Sequence, residues 1–109
     1  MASYIPIAFD SCYRLPLDKD HRFPMEKYEL LPQQLLLEGT CKKEDFFVPK
    51  KVELKKVLRI HTQKYVERLC NLKLTKNEIR VIGFPLTQEL IKREFLITGG
   101  TIMGAEKAL

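Results

Sequence analysis

The sequence has few of the residues that build disulfide frameworks or thiolate metal sites. Among its 109 residues there are three cysteines, Cys12, Cys41 and Cys70, and no C-x-x-C spacing joins any two of them. An odd number of widely separated cysteines argues against both a disulfide framework and a zinc ribbon. Free thiols suit a reducing compartment, and we therefore predict a cytoplasmic protein.

Long apolar runs are also missing. No segment reaches the roughly 18 consecutive apolar residues expected of a membrane-spanning helix, and the first residues lack the positive region of a signal peptide. The net charge is only +5, and the basic residues form no stripe interleaved with aromatic residues. We expect no membrane partner, and nucleic-acid binding is a distant alternative.

Histidine is scarce as well. His21 and His61 stand forty residues apart, whereas a catalytic metal site normally takes three protein ligands, often from closely spaced motifs such as H-x-x-x-H. Neither glycine pattern of a phosphate-binding loop is present. The residues alone therefore predict no metal site, no cofactor and no catalytic residue in this chain.

What remains is the composition of one globular domain spanning residues 1–109, since 45% of the residues are hydrophobic and can bury a modest core. Periodicity predicts a first strand and several helices, and the apolar run beginning at Phe46 is a candidate second strand. The stretch from Glu78 to Phe84 is compatible with a strand or with a loop. The first strand is placed at about residues 4–9, and the helices at about 25–38, 53–57, 62–70 and 87–109.

The last predicted helix is the most informative. It begins after Thr87, a suitable N-cap, and it contains the pair Gly99–Gly100. A mid-helix glycine costs about 1 kcal/mol relative to alanine. We interpret the pair as the place where another backbone approaches closely, with Gly104 extending the flat surface; a ligand contact is the alternative. Nothing after the helix signals its end, so we expect the chain to continue beyond Leu109.

The predicted helix over 25–38 contains Pro32. A proline in a helix interior lacks the backbone donor and its ring collides with the preceding turn. We expect Pro32 either to kink this helix or to split it into two.

Three segments together resemble the zinc-dependent histone deacetylase superfamily, and most closely its class IV branch and bacterial relatives. They are HRFPMEKY at His21–Tyr28, the block from Glu53 to Leu69 with RIHTQKYVERL, and TGGTIMGA at Thr98–Ala105. The resemblance covers about residues 4–109, which match only the N-terminal part of the family's domain. It implies an α/β fold class: the N-terminal part of an open, mainly parallel sheet with flanking helices, helix-rich and incomplete.

The resemblance also implies a function. Family members hydrolyse acyl-lysine amides with one Zn²⁺ held by two aspartates and a histidine, with a histidine pair for proton transfer and, in most members, a tyrosine. All of these residues lie beyond the position that matches Leu109. We therefore expect the N-terminal fragment or truncated form of a deacetylase-like protein, inactive alone, with zinc and an acylated lysine substrate only in a full-length member.

Two kinds of partner follow. A fragment would bind the missing C-terminal part of its domain. The alternative hypothesis is a stand-alone binding or oligomerisation module, which would form a homo-oligomer.

Four residues are assigned by the resemblance to a substrate or product pocket. His21, Arg22 and Phe23 would lie in a loop near the pocket rim, and Lys27 stands where class I relatives have an arginine that faces the acetate product. The alternatives are a structural role for His21 and an ordinary exposed position for Lys27. The aspartate with which class I relatives grip the substrate backbone has no counterpart in the stretch 82–85.

Overall fold

The structure, a computed structural model, describes residues 5–109 and is mainly helical. Strands β1 (Ile7–Ala8) and β2 (Phe46–Phe47) pair in parallel, with Ile7 opposite Phe46. Short 3₁₀ turns lie at Ser11–Tyr13 and Lys43–Asp45. The α-helices of this part of the chain are α1 (Lys27–Glu38), α2 (Leu54–Val57), α3 (Gln63–Cys70), α4 (Lys76–Ile82) and α5 (Gln88–Ala108).

The expected fold class, an open and mainly parallel α/β sheet with flanking helices, is wrong for this chain. Of residues 5–109, 55% are helical when the 3₁₀ turns are included, and the sheet within this range consists of β1 and β2 alone. Of the strand predicted at 4–9, the residues that pair are Ile7 and Ala8, while Tyr4 lies outside the described residues. Pro6 has no N–H to give to a strand ladder, which limits the extension of β1.

The prediction of a strand or a loop at 78–84 is wrong, because helix α4 occupies most of this stretch. The two ends of the helix explain why it forms. Thr75 Oγ1 accepts a hydrogen bond from Glu78 N at 3.1 Å, and Glu78 Oε1 accepts one from Thr75 N at 2.9 Å. This reciprocal capping box satisfies two donors at the helix start. Gly83 ends the helix in the left-handed conformation with φ 84°. These local capping interactions therefore stabilise a helix over this stretch.

Helix α5 packs against the 3₁₀ turn at Ser11–Tyr13, strand β1 and helix α3. Thr87 Oγ1 accepts a hydrogen bond from Leu90 N at 3.1 Å, so the predicted N-cap is confirmed. The loop before α2 lies directly on the middle of α5, where Val52 N donates to Phe95 O at 3.0 Å.

The glycine pair makes this contact possible. A Cβ added to Gly99 would lie 1.7 Å from the carbonyl oxygen of Lys50, and one added to Gly100 would lie 2.6 Å from the hydroxyl of Tyr13. The predicted close approach of a second backbone is thus confirmed at Gly99. At Gly104 a Cβ would meet no atom within 4 Å. The prediction that the flat surface continues to Gly104 is therefore wrong.

Helix α1 runs without interruption through Pro32, so the predicted split is wrong. Because proline has no backbone N–H, the helix loses one of its i to i−4 hydrogen bonds. The remaining bonds keep the helix continuous. None of the residues of α1 is buried, and Leu30, Leu31 and Leu37 are exposed. This helix therefore carries an uncovered apolar face.

The core is small and the molecule is flat. Leu15, Met25 and Leu90 form its buried centre, and the side chains packed around them are Leu17, Phe23, Tyr28, Ile82, Phe84 and Leu86. The chain measures 50 × 36 × 17 Å with a radius of gyration of 16.0 Å, against about 13 Å for a compact domain of this length. None of the helices in the described range is long and apolar enough to cross a membrane.

Candidate functional site

His21 fastens the loop before α1 to the turn between α4 and α5. Its Nε2 lies 2.9 Å from Gly83 O, and its Nδ1 lies 3.1 Å from Phe23 N. Because a backbone N–H only donates and a carbonyl only accepts, the neutral ring with its proton on Nε2 satisfies both bonds. The ring also stacks on Phe84, with centroids 5.6 Å apart and planes inclined by 26°. Backbone groups therefore engage both nitrogens of His21.

Next to His21, three aromatic rings form a cluster on which Lys27 lies. The Phe23 and Phe84 rings meet edge to face, with their centroids 5.1 Å apart. The Phe23 and Tyr28 rings lie nearly parallel, with their centroids 6.3 Å apart. Lys27 Nζ is 4.8 Å from the centre of the Phe23 ring and 5.4 Å from that of Tyr28, within cation–π range. Lys27 remains exposed, so its ammonium marks the solvent side of the cluster.

A second cation, Arg93 of α5, lies on the buried side of the cluster and is only 3% exposed. Its Nε donates to Tyr13 O at 2.6 Å, and its Nη1 donates to the Glu94 carboxylate at 2.7 Å. Its guanidinium carbon lies 4.9 Å from the Tyr28 ring and 5.7 Å from the Phe84 ring. A buried guanidinium is tolerated here because an acidic side chain, a carbonyl oxygen and two ring faces surround it.

Sequence reasoning missed Arg93, although its position carries a signal. Leu90, Arg93 and Ile97 follow one another at three- and four-residue spacing, which places the arginine on the apolar face of α5. A charged residue inside such a face is expected to be buried against partners.

The four residues assigned to the pocket divide into two groups. His21 and Phe23 line a cavity of about 450 Å³ beside the loop over residues 14–19, whereas Lys27 lies on the aromatic cluster and is not part of the cavity wall. Arg22 is exposed. Within the described residues it makes no side-chain hydrogen bond or ion pair with the other three.

The residues present do not fit a zinc ion. Across positions 5–109, no three His, Cys, Asp or Glu side chains come close enough together to hold a metal, and both nitrogens of His21 are already bonded. Burial, reinforced by a hydrogen bond from the thiol to the Asp10 side chain, raises the pKa of Cys12 to about 11. Burial also raises the pKa of Cys41. These two thiols are therefore poor nucleophiles near neutral pH.

A second concave feature, the α2–α3–α5 groove, has a volume of about 430 Å³ and is lined mainly by apolar side chains. Its buried floor includes Val52, Val66 and Leu90. The partly exposed apolar residues along it are Val57, Leu69, Ile82, Ile91, Phe95 and Ile102. Sequence reasoning identified the apolar faces of the helices but not the groove, because its walls come from helices that are distant in sequence.

Comparison with known proteins adds one relative. An uncharacterized protein of the cyanobacterium Picosynechococcus sp. is 33% identical over 104 residues, which cover 95% of this chain. The same segment is 35% of the relative, so the chain spans about a third of the length of the protein that it matches. No family model matches the sequence.

Proposed function

We propose that this chain is the N-terminal portion of a zinc-dependent, deacetylase-like protein that hydrolyses acyl-lysine amides, and that it is not catalytically competent alone. The proposal begins from the order and spacing of the segments at 21–28, 53–69 and 98–105. It concerns the chemistry of the longer protein and does not depend on an extended sheet in this chain.

In the folded chain, all three segments contact α5 or form part of it. The first segment does so through Arg93, which contacts Tyr28 and whose Nη2 lies 3.6 Å from Met25 Sδ. The second includes α3, which faces α5 across the groove. The third is the glycine-containing part of α5 itself. In a domain of this size many segments reach the longest helix, so this shared contact agrees with the proposal, and the order and spacing of the segments in the sequence remain its main support.

The length of the relative is a second support. The zinc ligands and the proton-transfer histidines would have to come from outside these residues, because the described side chains do not form a metal site. The matched segment is 35% of the relative, which leaves the larger part of such a protein to supply them.

In this proposal the chain contributes the framework beside the reaction centre. His21 holds the loop in place through Gly83 and Phe84. Lys27, whose ammonium is exposed on the aromatic cluster, would attract the carboxylate that amide hydrolysis releases.

The test is a fusion in which this chain replaces the matching segment of the Picosynechococcus protein. We expect the fusion to bind about one zinc ion per molecule and to hydrolyse an acetyl-lysine peptide, with activity lost on chelation. The chain alone and the relative without its segment serve as controls, and neither should hydrolyse the peptide. Absence of zinc and of hydrolysis in both the fusion and the intact relative would contradict the proposal.

A second candidate, a stand-alone binding or oligomerisation module, is favoured by the uncovered face of α1. Leu37 is 83% exposed there, and Leu30 and Leu31 are also exposed. This candidate predicts a molar mass in solution at a multiple of 12.8 kDa, reduced to that of the monomer by Leu37→Asp. Light scattering on the chain alone separates the two candidates, because a concentration-independent monomer excludes self-association.

A further inference from the structure

The α2–α3–α5 groove is long enough to hold another helix. It follows α5 from Leu90 to Ile102, a distance of about 18 Å at 1.5 Å per residue, or roughly three helical turns. Tyr65 and Leu69 of α3 form part of the opposite wall. A trough of this kind between two helices receives the apolar stripe of an amphipathic helix by packing of ridges into grooves.

Several apolar side chains at the edge of the groove are exposed to solvent. Ile60, at its edge, is 83% exposed, and the neighbouring Leu58 and Leu54 are also exposed. Phe95 and Ile102 inside the groove are only partly covered. Contiguous apolar surface is uncommon on self-sufficient monomers and usually marks a contact surface.

The charges at the groove restrict the occupant further. Lys56 lines it, and within residues 5–109 no ion pair engages its ammonium. Glu94, on the α5 side, is already paired with Arg93 at 2.7 Å. The site therefore favours an occupant with an acidic residue next to Lys56, and it disfavours a second basic group.

We propose that the groove binds one amphipathic helix of about three turns, with an acidic residue facing Lys56, supplied by the part of the longer protein outside these residues. The source of the helix rests on the proposed function and on the relative, of which the matched segment is only 35%. The flat shape of the chain, 17 Å in its shortest dimension, agrees with a surface that another layer covers.

The experiment measures binding of this chain to the remaining part of the Picosynechococcus protein, expressed without its matching segment. Ile60→Asp places a charge in the proposed contact, and Val81→Asp on α4 is the matched control because Val81 is 80% exposed and lies outside the groove. At such exposed positions neither change should unfold the chain. We expect Ile60→Asp to weaken binding about tenfold or more and Val81→Asp to leave it unchanged. Lys56→Glu should also weaken binding, whereas Lys64→Glu on the exposed side of α3 should not.

A second measurement covers the case in which the separate parts do not associate. In the fusion of this chain with the relative, alkylation of an Ile60→Cys thiol should be at least about tenfold slower than in the chain alone, while Val81→Cys reacts equally in both. Equal reactivity of Ile60→Cys would overturn the proposal, and so would protection that appears in the chain alone as its concentration rises, which would indicate a second copy. Protection that an added aliphatic carboxylate produces in the chain alone would equally overturn it, since a small ligand would then be the occupant.

The outcomes separate this proposal from the proposed function. Protection of Ile60→Cys without zinc-dependent hydrolysis would support the docked helix and reject the deacetylase assignment. Hydrolysis by the fusion without protection of Ile60→Cys would support the deacetylase assignment and reject the docked helix.

Discussion

The imidazole of His21 is bonded to the carbonyl oxygen of Gly83 at 2.9 Å, although 62 positions separate the two residues in sequence. With Nδ1 accepting from Phe23 N, the ring joins the loop before α1 to the turn that follows α4. The same turn carries Phe84, on which the ring stacks. One side chain thus fixes two loops relative to each other.

Removal of this link has a measurable cost. We expect His21→Ala to lower the free energy of unfolding by about 1–2 kcal/mol, because it removes two hydrogen bonds and an aromatic contact at a partly exposed site. Urea denaturation followed by circular dichroism measures the change. His61→Ala is the control, since His61 is exposed and its loss should cost less than about 0.5 kcal/mol. Equal effects of the two substitutions would contradict the structural role of His21.

Gly99 and Gly104, both in α5, should respond in opposite directions to the same change. Gly99→Ala would bring a Cβ to 1.7 Å from Lys50 O and should destabilise the chain by about 3 kcal/mol or more, because a backbone must move. Gly104→Ala meets no atom within 4 Å and should stabilise it by up to about 1 kcal/mol through helix propensity. Thermal unfolding of both variants tests the packing of α5, and a stable Gly99→Ala protein would refute it.

Arg93 offers a third test. We expect Arg93→Ala to destabilise the chain by about 2–4 kcal/mol, since it leaves the Tyr13 carbonyl without its donor and opens a cavity beside Tyr28. Lys92→Ala, at an exposed neighbouring position on the same helix, should change the free energy of unfolding by less than about 0.5 kcal/mol. Chemical denaturation of both variants is the measurement, and a neutral Arg93→Ala would mean that the guanidinium is not integral to the core.

Acid should lower the stability of the fold by protonating Glu78. Two hydrogen bonds from Arg68, at 2.7 and 3.0 Å, and the bond from Thr75 N lower the pKa of Glu78 from 4.5 to about 2. A carboxyl group whose pKa is lower in the folded state stabilises the fold fully above pH 4.5, and this contribution is lost as the pH falls towards 2. We expect the melting temperature to decline across this interval.

The variant Glu78→Gln isolates this contribution. Its melting temperature should be lower than that of the unmodified chain near pH 7 and should vary less between pH 4.5 and 2. Glu89→Gln, at an exposed position of α5, is the control and should retain the original slope. An unchanged slope in Glu78→Gln would assign the acid sensitivity to other groups.

Where the sequence predicts correctly, the deciding interactions are local. Thr87 caps α5 as predicted. The prediction of a strand or a loop at 78–84 was wrong, although the Thr75 and Glu78 capping box of α4 is a local signal that can be read in the sequence. The open sheet was wrong because it was transferred from a resemblance to a larger domain. Within this chain, strand pairing is limited to two residues on each strand.

The candidate site could be predicted only in part. The resemblance selected His21 and Phe23, which do line one cavity, but it grouped them with Arg22, which makes no bond to them in the described residues. Arg93 and the groove were missed. Arg93 donates to a carbonyl 80 positions earlier in the chain, and the groove takes its walls from separate helices, so neither follows from the spacing of nearby residues.

The sequence by itself therefore determined where α5 begins and where a glycine of that helix admits a second backbone. These depend on interactions within a few residues, whose free energies act before the chain is compact. Only the tertiary structure decided that His21 bonds to Gly83, that Arg93 is buried, and that an apolar groove stays open along α5. Those outcomes depend on which distant segments meet, because burial and desolvation are properties of the assembled surfaces and not of the local sequence.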